Sequence, residues 1–230
     1  MSTARDIIRE VRDQLDDREP PFRWNDDELF RYVKAGERQI VTLVPEANIV
    51  EELVTPDGPG SRQTVPPGGV KFIKVNCNAT TDPVARGATV RYAEKDAIDS
   101  LDPSWESAAS TAIDLSYGDY YKNYMHDPRE PRVYYLYPAP EDPADRAYYL
   151  VFCQIPAAPA DVNKDLTLDD SYYNALVDFT LYKALTKEGR NSGSTMEAER
   201  LWENFLRSLG IKSSAQRSVS PEIYRPPEAG

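Results

Sequence analysis

Apolar residues recur every three or four positions near the front of the chain, which is the spacing of amphipathic helices. A first helix is predicted after Ser2 or Thr3, either of which can cap it. Its apolar positions are Ile7, Ile8, Val11 and Leu15. A second helix is predicted to begin at Asn25, where an amide cap precedes three carboxylates, and to end at Pro45. Gly36 lies on the apolar stripe of this helix and allows another helix to approach closely.

Between residues 47 and 155 the apolar positions alternate and Pro and Gly recur, which predicts short β-strands joined by turns. The predicted strands are 48–55, 62–65, 70–77, 88–94, 110–117, 132–137 and 146–155. The connection at 138–143 predicts that the last two strands pair as a hairpin. Residues 95–105 follow neither period and predict an irregular segment with a helical turn. Short strands at this spacing indicate an antiparallel sandwich or a small barrel.

Helical periodicity returns after residues 156–163, a linker rich in Pro and Ala. Asp169 or Asp170 is predicted to cap the next helix. Its apolar stripe consists of Tyr173, Leu176, Val177, Thr180, Leu181, Ala184 and Leu185. A last helix is predicted over 195–209, with Gly210 closing it. Its apolar positions are Met196, Leu201, Trp202, Phe205, Leu206 and Leu209.

The two ends of the chain are predicted to fold together, because each helix pair carries an apolar stripe that needs a partner. The predicted fold class is therefore α+β. A four-helix bundle is formed by the N- and C-terminal helix pairs, residues 1–46 and 164–210, and an antiparallel β-module, residues 47–163, is inserted between them. Residues 211–230 are rich in Ser, Pro and charge, so we expect an extended C-terminal tail that has no core of its own.

Composition and charge narrow the classes of function. The chain has 38 Asp and Glu against 27 Lys and Arg, a net charge of −11, which excludes a general nucleic-acid-coating surface and disfavours docking on anionic membranes. No apolar run reaches the ~18 residues of a membrane span, and the polar first residues predict no secretory leader. Cys77 and Cys153 lie in strand-like sequence and are expected to be buried thiols rather than a disulfide.

Metal and nucleophile chemistry is sparse in the sequence. His126 is the only histidine, which excludes most metal sites and most Ser-His or Cys-His systems, and its turn-like context favours a surface loop. Residues 161–172 begin like a calcium loop, but Leu166 and Tyr172 stand where Gly and a bidentate Glu are needed. The sequence therefore predicts no metal and no cofactor.

Acidic residues around Trp105 are the best candidates for a sugar site. Asp99, Asp102 and Glu106 supply carboxylates of the kind that glycosidases and carbohydrate-binding modules use. The favoured alternative is that Trp105 fills the interior of the β-module while the acids cap turns, because nothing in their spacing selects catalysis.

Tyrosines cluster in two neighbouring predicted strands. Because alternate strand residues face opposite sides, at least one tyrosine face is expected outside the core. Wide aromatic faces fit an interface with another subunit, and packing inside the module is an equally open alternative. The interface candidates are Tyr134, Tyr135, Tyr137 and Tyr148.

The order of several short motifs resembles a known protein family. These motifs occupy residues 23–29, 40–45, 73–76, 102–105, 134–138, 155–156 and 172–177. In this order they resemble the head-to-tail adaptor proteins of short-tailed bacteriophages, of the tail tubular protein A type, over residues 3–209. Family members show Lys-Asp after the third helix, whereas this chain has Lys187 and Glu188.

The resemblance implies a structural, non-enzymatic virion protein that is made in the host cytoplasm. Such adaptors form a ring of about twelve copies beneath the portal protein and join it to the tail nozzle protein through closed, heterologous contacts. DNA is expected to pass through the lumen without specific binding, and an acidic ring fits that role because it does not grip phosphates.

The resemblance also implies functions for individual segments of the chain. The tail is expected to order against the portal, through Ile211, Arg217, Val219, Ile223, Tyr224 and Arg225. The tyrosine faces become candidates for contact with a neighbouring subunit or with the nozzle. Two alternatives stay open: a carbohydrate-binding or glycoside-cleaving β-sandwich module, and another phage neck or tail-completion protein.

Overall fold

The computed structural model describes residues 2–80, 84–106, 120–140, 146–188 and 192–210. The predicted strand at 110–117 and the tail at 211–230 lie outside these residues. The described residues divide into two compact units, one drawn from Met1–Val44 with Pro156–Gly230 and the other from Pro45–Ile155. The class is α+β, as predicted, because one unit is helical and the other consists mainly of strands.

Five α-helices lie in the described part of the chain. They are α1 (Ala4–Gln14), α2 (Asp26–Leu43), α3 (Lys95–Leu101), α4 (Tyr173–Glu188) and α5 (Ser192–Ser208). Of these, α3 belongs to the β-rich unit, where the sequence predicted only a helical turn. The strands are β1 (Ile49–Val54), β2 (Arg62–Thr64), β3 (Gly69–Ala79), β4 (Arg86–Thr89), β5 (Arg91–Tyr92), β6 (Asn123–Met125), β7 (Val133–Tyr137) and β8 (Tyr148–Gln154).

Helix caps occur where the sequence placed them. The Thr3 side chain and Asp6 form a capping box at the start of α1. The Asn25 side chain accepts a hydrogen bond of 2.7 Å from the Glu28 N–H at the start of α2. Gly210, with φ of 71°, follows α5 in the left-handed conformation that commonly closes a helix.

Helix α4 is the centre of the helical unit, because it packs against α1, α2 and α5. Gly36 of α2 makes one of these contacts possible, as predicted. A Cβ atom at this position would lie 3.0 Å from Leu176 Cδ2 and 3.1 Å from Phe179 Cδ1. The stripe of α5 differs from the prediction, since Met196 is 73 % exposed and the buried face is formed by Ala198, Leu201 and Phe205.

The β-rich unit contains two four-stranded sheets, in the orders β1-β8-β3-β4 and β2-β7-β6-β5. All pairs are antiparallel except β5 with β6, which is parallel. The predicted hairpin is wrong, because β7 and β8 belong to different sheets. The physical reason is that β1 and β3 occupy both edges of β8, so no edge is left for β7.

Residues of both sheets share one hydrophobic core. The rings of Phe72 on β3 and Tyr134 on β7 stack with centroids 4.6 Å apart. Leu136 of β7 and Leu150 of β8 are fully buried in the same cluster. Cys77 and Cys153 are free thiols and buried, as the sequence predicted.

Candidate interaction surfaces

The tyrosines singled out from the sequence pack mostly inside the β-rich unit. Tyr134 and Tyr148 lie in the core that the two sheets share, and Tyr137 lies on the opposite face of β7. Tyr135 is half-buried. Both faces of β7 are therefore covered, and only Tyr135 keeps side-chain surface for contact with another molecule. The other three tyrosines pack inside the unit, which is the alternative that the sequence left open.

Tyr134 and Tyr148 form a buried hydroxyl pair. Their oxygens lie 2.6 Å apart, so one hydroxyl donates to the other. Burial raises the pKa of both phenols, because a phenolate would lose its hydration there. Both hydroxyls therefore stay protonated, and their hydrogen bond links β7 to β8.

The acidic residues around Trp105 form hydrogen bonds and an ion pair with residues close to them in the chain. Trp105 is buried and its Nε1 donates a hydrogen bond to the Asp99 carboxylate. One Asp102 oxygen accepts bonds from the N–H and the hydroxyl of Ser104, at 3.0 and 2.8 Å. Glu106 pairs with Lys95 at 2.7 Å. Of the three acids, Asp102 caps a turn, as the favoured interpretation of the sequence had it, whereas Asp99 and Glu106 bind the side chains of Trp105 and Lys95.

A cleft of about 600 Å³ opens beside the start of α3. His126 lies in its wall, where Nδ1 is 2.8 Å from the Val133 carbonyl oxygen and the ring packs against Phe72. The histidine is therefore half-buried rather than loose on a surface loop. The described lining offers no Ser, Thr or Cys nucleophile, since it consists of Tyr92, Glu94, Lys95, Met125, His126, Asp127, Pro128, Arg129 and Tyr135.

A buried carboxylate anchors the segment that leads into α4. Glu37 of α2 is 1 % exposed and accepts a hydrogen bond of 3.0 Å from the Thr167 N–H. Burial raises the pKa of Glu37, and the backbone N–H groups of Thr167 and Leu168 oppose that shift. The chain start meets the same segment, because Leu166 donates its N–H to the Ser2 carbonyl at 3.0 Å.

Two further polar clusters fix the helices. Arg12 donates to Asp17 and to Asp26, both at 2.7 Å, and thereby holds the turn between α1 and α2. Glu28 of α2 pairs with Lys187 of α4 at 2.7 Å, and this bond is the main cause of its lowered pKa. Neither these contacts nor the Glu37 contact was predicted from the sequence. The sequence did hold one sign that Glu37 is buried: it is a charged residue that follows Gly36 on an otherwise apolar face of the helix.

Large apolar side chains are exposed at one edge of the β-rich unit. Ile49 and Leu53 of β1 are 51 % and 45 % exposed and lie on the same face of the strand. Tyr92 of β5 is 51 % exposed beside the cleft described above. Among the described residues, no group of three or more His, Cys, Asp or Glu side chains is arranged to hold a metal ion. None of the described helices is long and apolar enough to cross a membrane.

The residues predicted to contact the portal lie outside the described residues: Ile211, Arg217, Val219, Ile223, Tyr224 and Arg225. Their assignment remains a prediction from the sequence. The described part of the helical unit ends at Gly210, directly before them.

A family model described as SU10 adaptor protein matches residues 2–225, which includes both units and most of the tail. No curated protein matches the sequence.

Proposed function

Because the chain belongs to the SU10 adaptor protein family, and is thus a structural adaptor of a phage, we propose that it joins the portal protein to the tail nozzle protein. Copies form a closed ring of about twelve subunits with heterologous contacts. DNA passes through the lumen during ejection without being bound specifically. The observation that carries this proposal is the family match, because it spans nearly the whole chain rather than one module.

The charge of the chain supports a passive channel. Each subunit carries a net charge of −11, and a ring multiplies this value by the number of copies. A lumen of this sign repels phosphates, so that DNA slides instead of adhering. The protein acts by packing and sealing, as a non-enzymatic component that is made in the host cytoplasm and then incorporated into the virion.

Within this proposal the helices from the two ends of the chain form a four-helix bundle, and the two sheets form a sandwich. The packing of α4 against three other helices supports the bundle. The core shared by β3, β7 and β8 supports the sandwich. The tail residues after Gly210 order against the portal, which provides the attachment on the capsid side.

The experiment mixes the purified protein with the portal protein of the same phage and follows the mixture by light scattering and negative-stain microscopy. A ring stacked on the portal is the expected product. The absence of any complex with portal, together with retention on a polysaccharide column, would favour the carbohydrate-binding alternative instead.

A further inference from the structure

The cleft beside the start of α3 lies at the carboxyl ends of two neighbouring strands. Strands β5 and β6 form a parallel pair, in which Arg91 is opposite Asn123 and Tyr92 is opposite Tyr124. Because the two strands run in the same direction, the segments that follow them meet at one end of the sheet. This is the end at which open α/β sheets bind their ligands. The topology thus brings two short polar segments together around one cavity.

Each of these segments supplies one acid and one base to the cleft. Glu94 and Lys95 follow β5, and Asp127 and Arg129 follow β6. The charges of the described lining therefore balance and alternate in both segments. An anion or a cation would lie beside a group of its own sign at either segment, and a zwitterion would find no separated charges to match its own. This arrangement favours a ligand without charge.

The polar groups of the cleft offer both hydrogen-bond donors and acceptors. Nδ1 of His126 lies 2.8 Å from the Val133 carbonyl oxygen, which only accepts, so Nδ1 carries the hydrogen. In the neutral ring Nε2 is then left as an acceptor. The Arg129 guanidinium forms no ion pair with any residue that the structure describes, so its N–H groups are available as donors. Hydroxyl groups both donate and accept, and they match such a mixture.

Two tyrosine rings supply apolar surface next to these polar groups. Tyr92 is 51 % exposed, and Tyr135 is half-buried. Each ring is held by an aromatic neighbour, because Tyr124 packs edge-on against Tyr92 and Trp105 packs edge-on against Tyr135, both with centroids 5.7 Å apart. The C–H faces of sugar rings pack on aromatic rings of this kind. The cleft therefore combines stacking surface with groups that bind hydroxyls.

The size of the cleft also suits a small sugar. Its volume of about 600 Å³ lies within the range of ~300–1,000 Å³ that is usual for small-molecule sites. The His126 ring packs against Phe72 of the core at 4.9 Å, and Met125 of β6 is 1 % exposed. Part of the lining is thus fixed by the core before any ligand binds.

We propose that this cleft binds a neutral sugar, as a mono- or disaccharide unit. The rings of Tyr92 and Tyr135 pack against the C–H groups of the sugar. His126, Arg129 and Asp127 form hydrogen bonds with its hydroxyls. This binding goes beyond the adaptor role and does not depend on it, because all of the lining residues belong to the β-rich unit of one copy.

The test uses His126 as a probe inside the cleft. It is the only histidine of the chain, so its ring protons are assigned directly in proton NMR spectra of the full-length protein without a histidine tag. The protein is titrated with glucose, galactose, mannose, N-acetylglucosamine, maltose and lactose. At least one sugar is expected to shift the His126 signals in a saturable manner, with a Kd of about 10 mM or lower. No saturable shift with any of the six would overturn the proposal.

Variants of Tyr92 separate stacking from folding. Tyr92→Ala removes an exposed ring, so the melting temperature is expected to change little, while the affinity for the sugar falls about tenfold. Tyr92→Phe keeps the ring and most of the affinity. Leu101→Ala is the matched control, since Leu101 is 58 % exposed on α3 and lies outside the lining of the cleft. Unchanged affinity in Tyr92→Ala would contradict the proposed stacking.

Variants of Arg129 distinguish a neutral ligand from an anion. Arg129→Gln keeps N–H donors without the charge and is expected to retain most of the affinity, whereas Arg129→Ala loses about tenfold. Glucose 6-phosphate is expected to bind no more tightly than glucose. If it binds more tightly, and if the Gln and Ala variants lose this binding equally, the cleft is an anion site and the proposal is wrong.

Free sugars and the sugar units of a surface polysaccharide offer the same rings to the cleft. The NMR titration measures binding of the free sugar. Retention on a column of immobilised polysaccharide built from the best-binding sugar, lost in Tyr92→Ala, would show that a polymer also reaches the cleft. Failure of every sugar to bind would leave ring assembly on the portal intact, and failure of ring assembly would leave the sugar titration unaffected.

Discussion

Two buried polar side chains in this protein, Gln63 and Glu37, each form hydrogen bonds with the backbone of one neighbouring segment. Gln63 is fully buried, accepts the Asp57 N–H at 2.8 Å and donates to the Gly60 carbonyl at 2.8 Å, which holds the turn before β2. Glu37 plays the same part for the segment before α4. A buried polar group that loses its partner carries the full cost of desolvation. Substitutions at such positions therefore report on specific contacts.

The hydroxyl pair of Tyr134 and Tyr148 provides the first prediction. Either Tyr→Phe substitution alone leaves the remaining hydroxyl without its partner, which costs about 1–3 kcal/mol of unfolding free energy. The double Phe variant is expected to recover most of that loss, since no unpaired oxygen remains. Urea unfolding of the four proteins checks the cycle, and strictly additive losses would show that the pair is not coupled.

Glu37 gives a prediction about pH. Its pKa is raised in the folded protein above the ordinary value near 4.5, so the folded state binds the proton more tightly than the unfolded state does. The stability contributed by the protonated form is fully present below that ordinary value and is lost as the pH rises through the raised pKa. The Glu37→Gln variant removes this titration.

The measurement is the difference in unfolding free energy between wild type and Glu37→Gln at several pH values. The wild type is expected to lose stability relative to the variant between the ordinary pKa of glutamate and neutral pH. A difference that is constant over this range, or that moves in the opposite direction, would contradict the assigned environment of Glu37.

At the scale of elements, local chemistry predicted the helices well and strand pairing poorly. Caps and closing residues such as Thr3, Asn25 and Gly210 act within one turn, so their effect is visible in a short stretch of sequence. The β7–β8 hairpin was wrong because pairing depends on which strand edges are already occupied. The three residues of β6 are too few to show an alternating pattern.

The same reasoning explains what happened to the candidate surface residues. Alternation along β7 shows that its tyrosines face two sides, but it does not show that Ile98, Trp105 and Met125 cover the second side. Burial of Tyr137 follows from a segment some thirty residues away, which no local pattern reveals. Of the four candidate interface tyrosines, only Tyr135 keeps a partly exposed side chain.

The close contact between α2 and α4 gives an element-scale prediction. Gly36→Val places two methyl groups against Leu176 and Phe179, and overpacking of this kind costs about 1–3 kcal/mol. Gly193 of α5 is the matched control, because an added Cβ there meets nothing within 4 Å. Thermal unfolding is expected to show a lower midpoint for Gly36→Val and little change for Gly193→Val. Equal effects at the two glycines would contradict the packing described.

At the scale of the whole molecule, folding and attachment are assigned to different parts of the chain. The described residues of both units contain their own cores, and residues 211–230 follow the last helix. Truncation after Gly210 is therefore expected to leave the melting temperature nearly unchanged and to weaken portal binding at least tenfold. Sedimentation with purified portal measures the binding, and unchanged affinity would show that the tail is not the point of attachment.

The central claim is that this protein bridges two larger assemblies, and a three-component sedimentation experiment tests it most directly. Portal and nozzle proteins of the same phage are mixed with and without the purified adaptor, and the complexes are separated by size. The account predicts that portal and nozzle migrate together only when the adaptor is present. Joint migration without it, or no joint migration with it, would contradict the account.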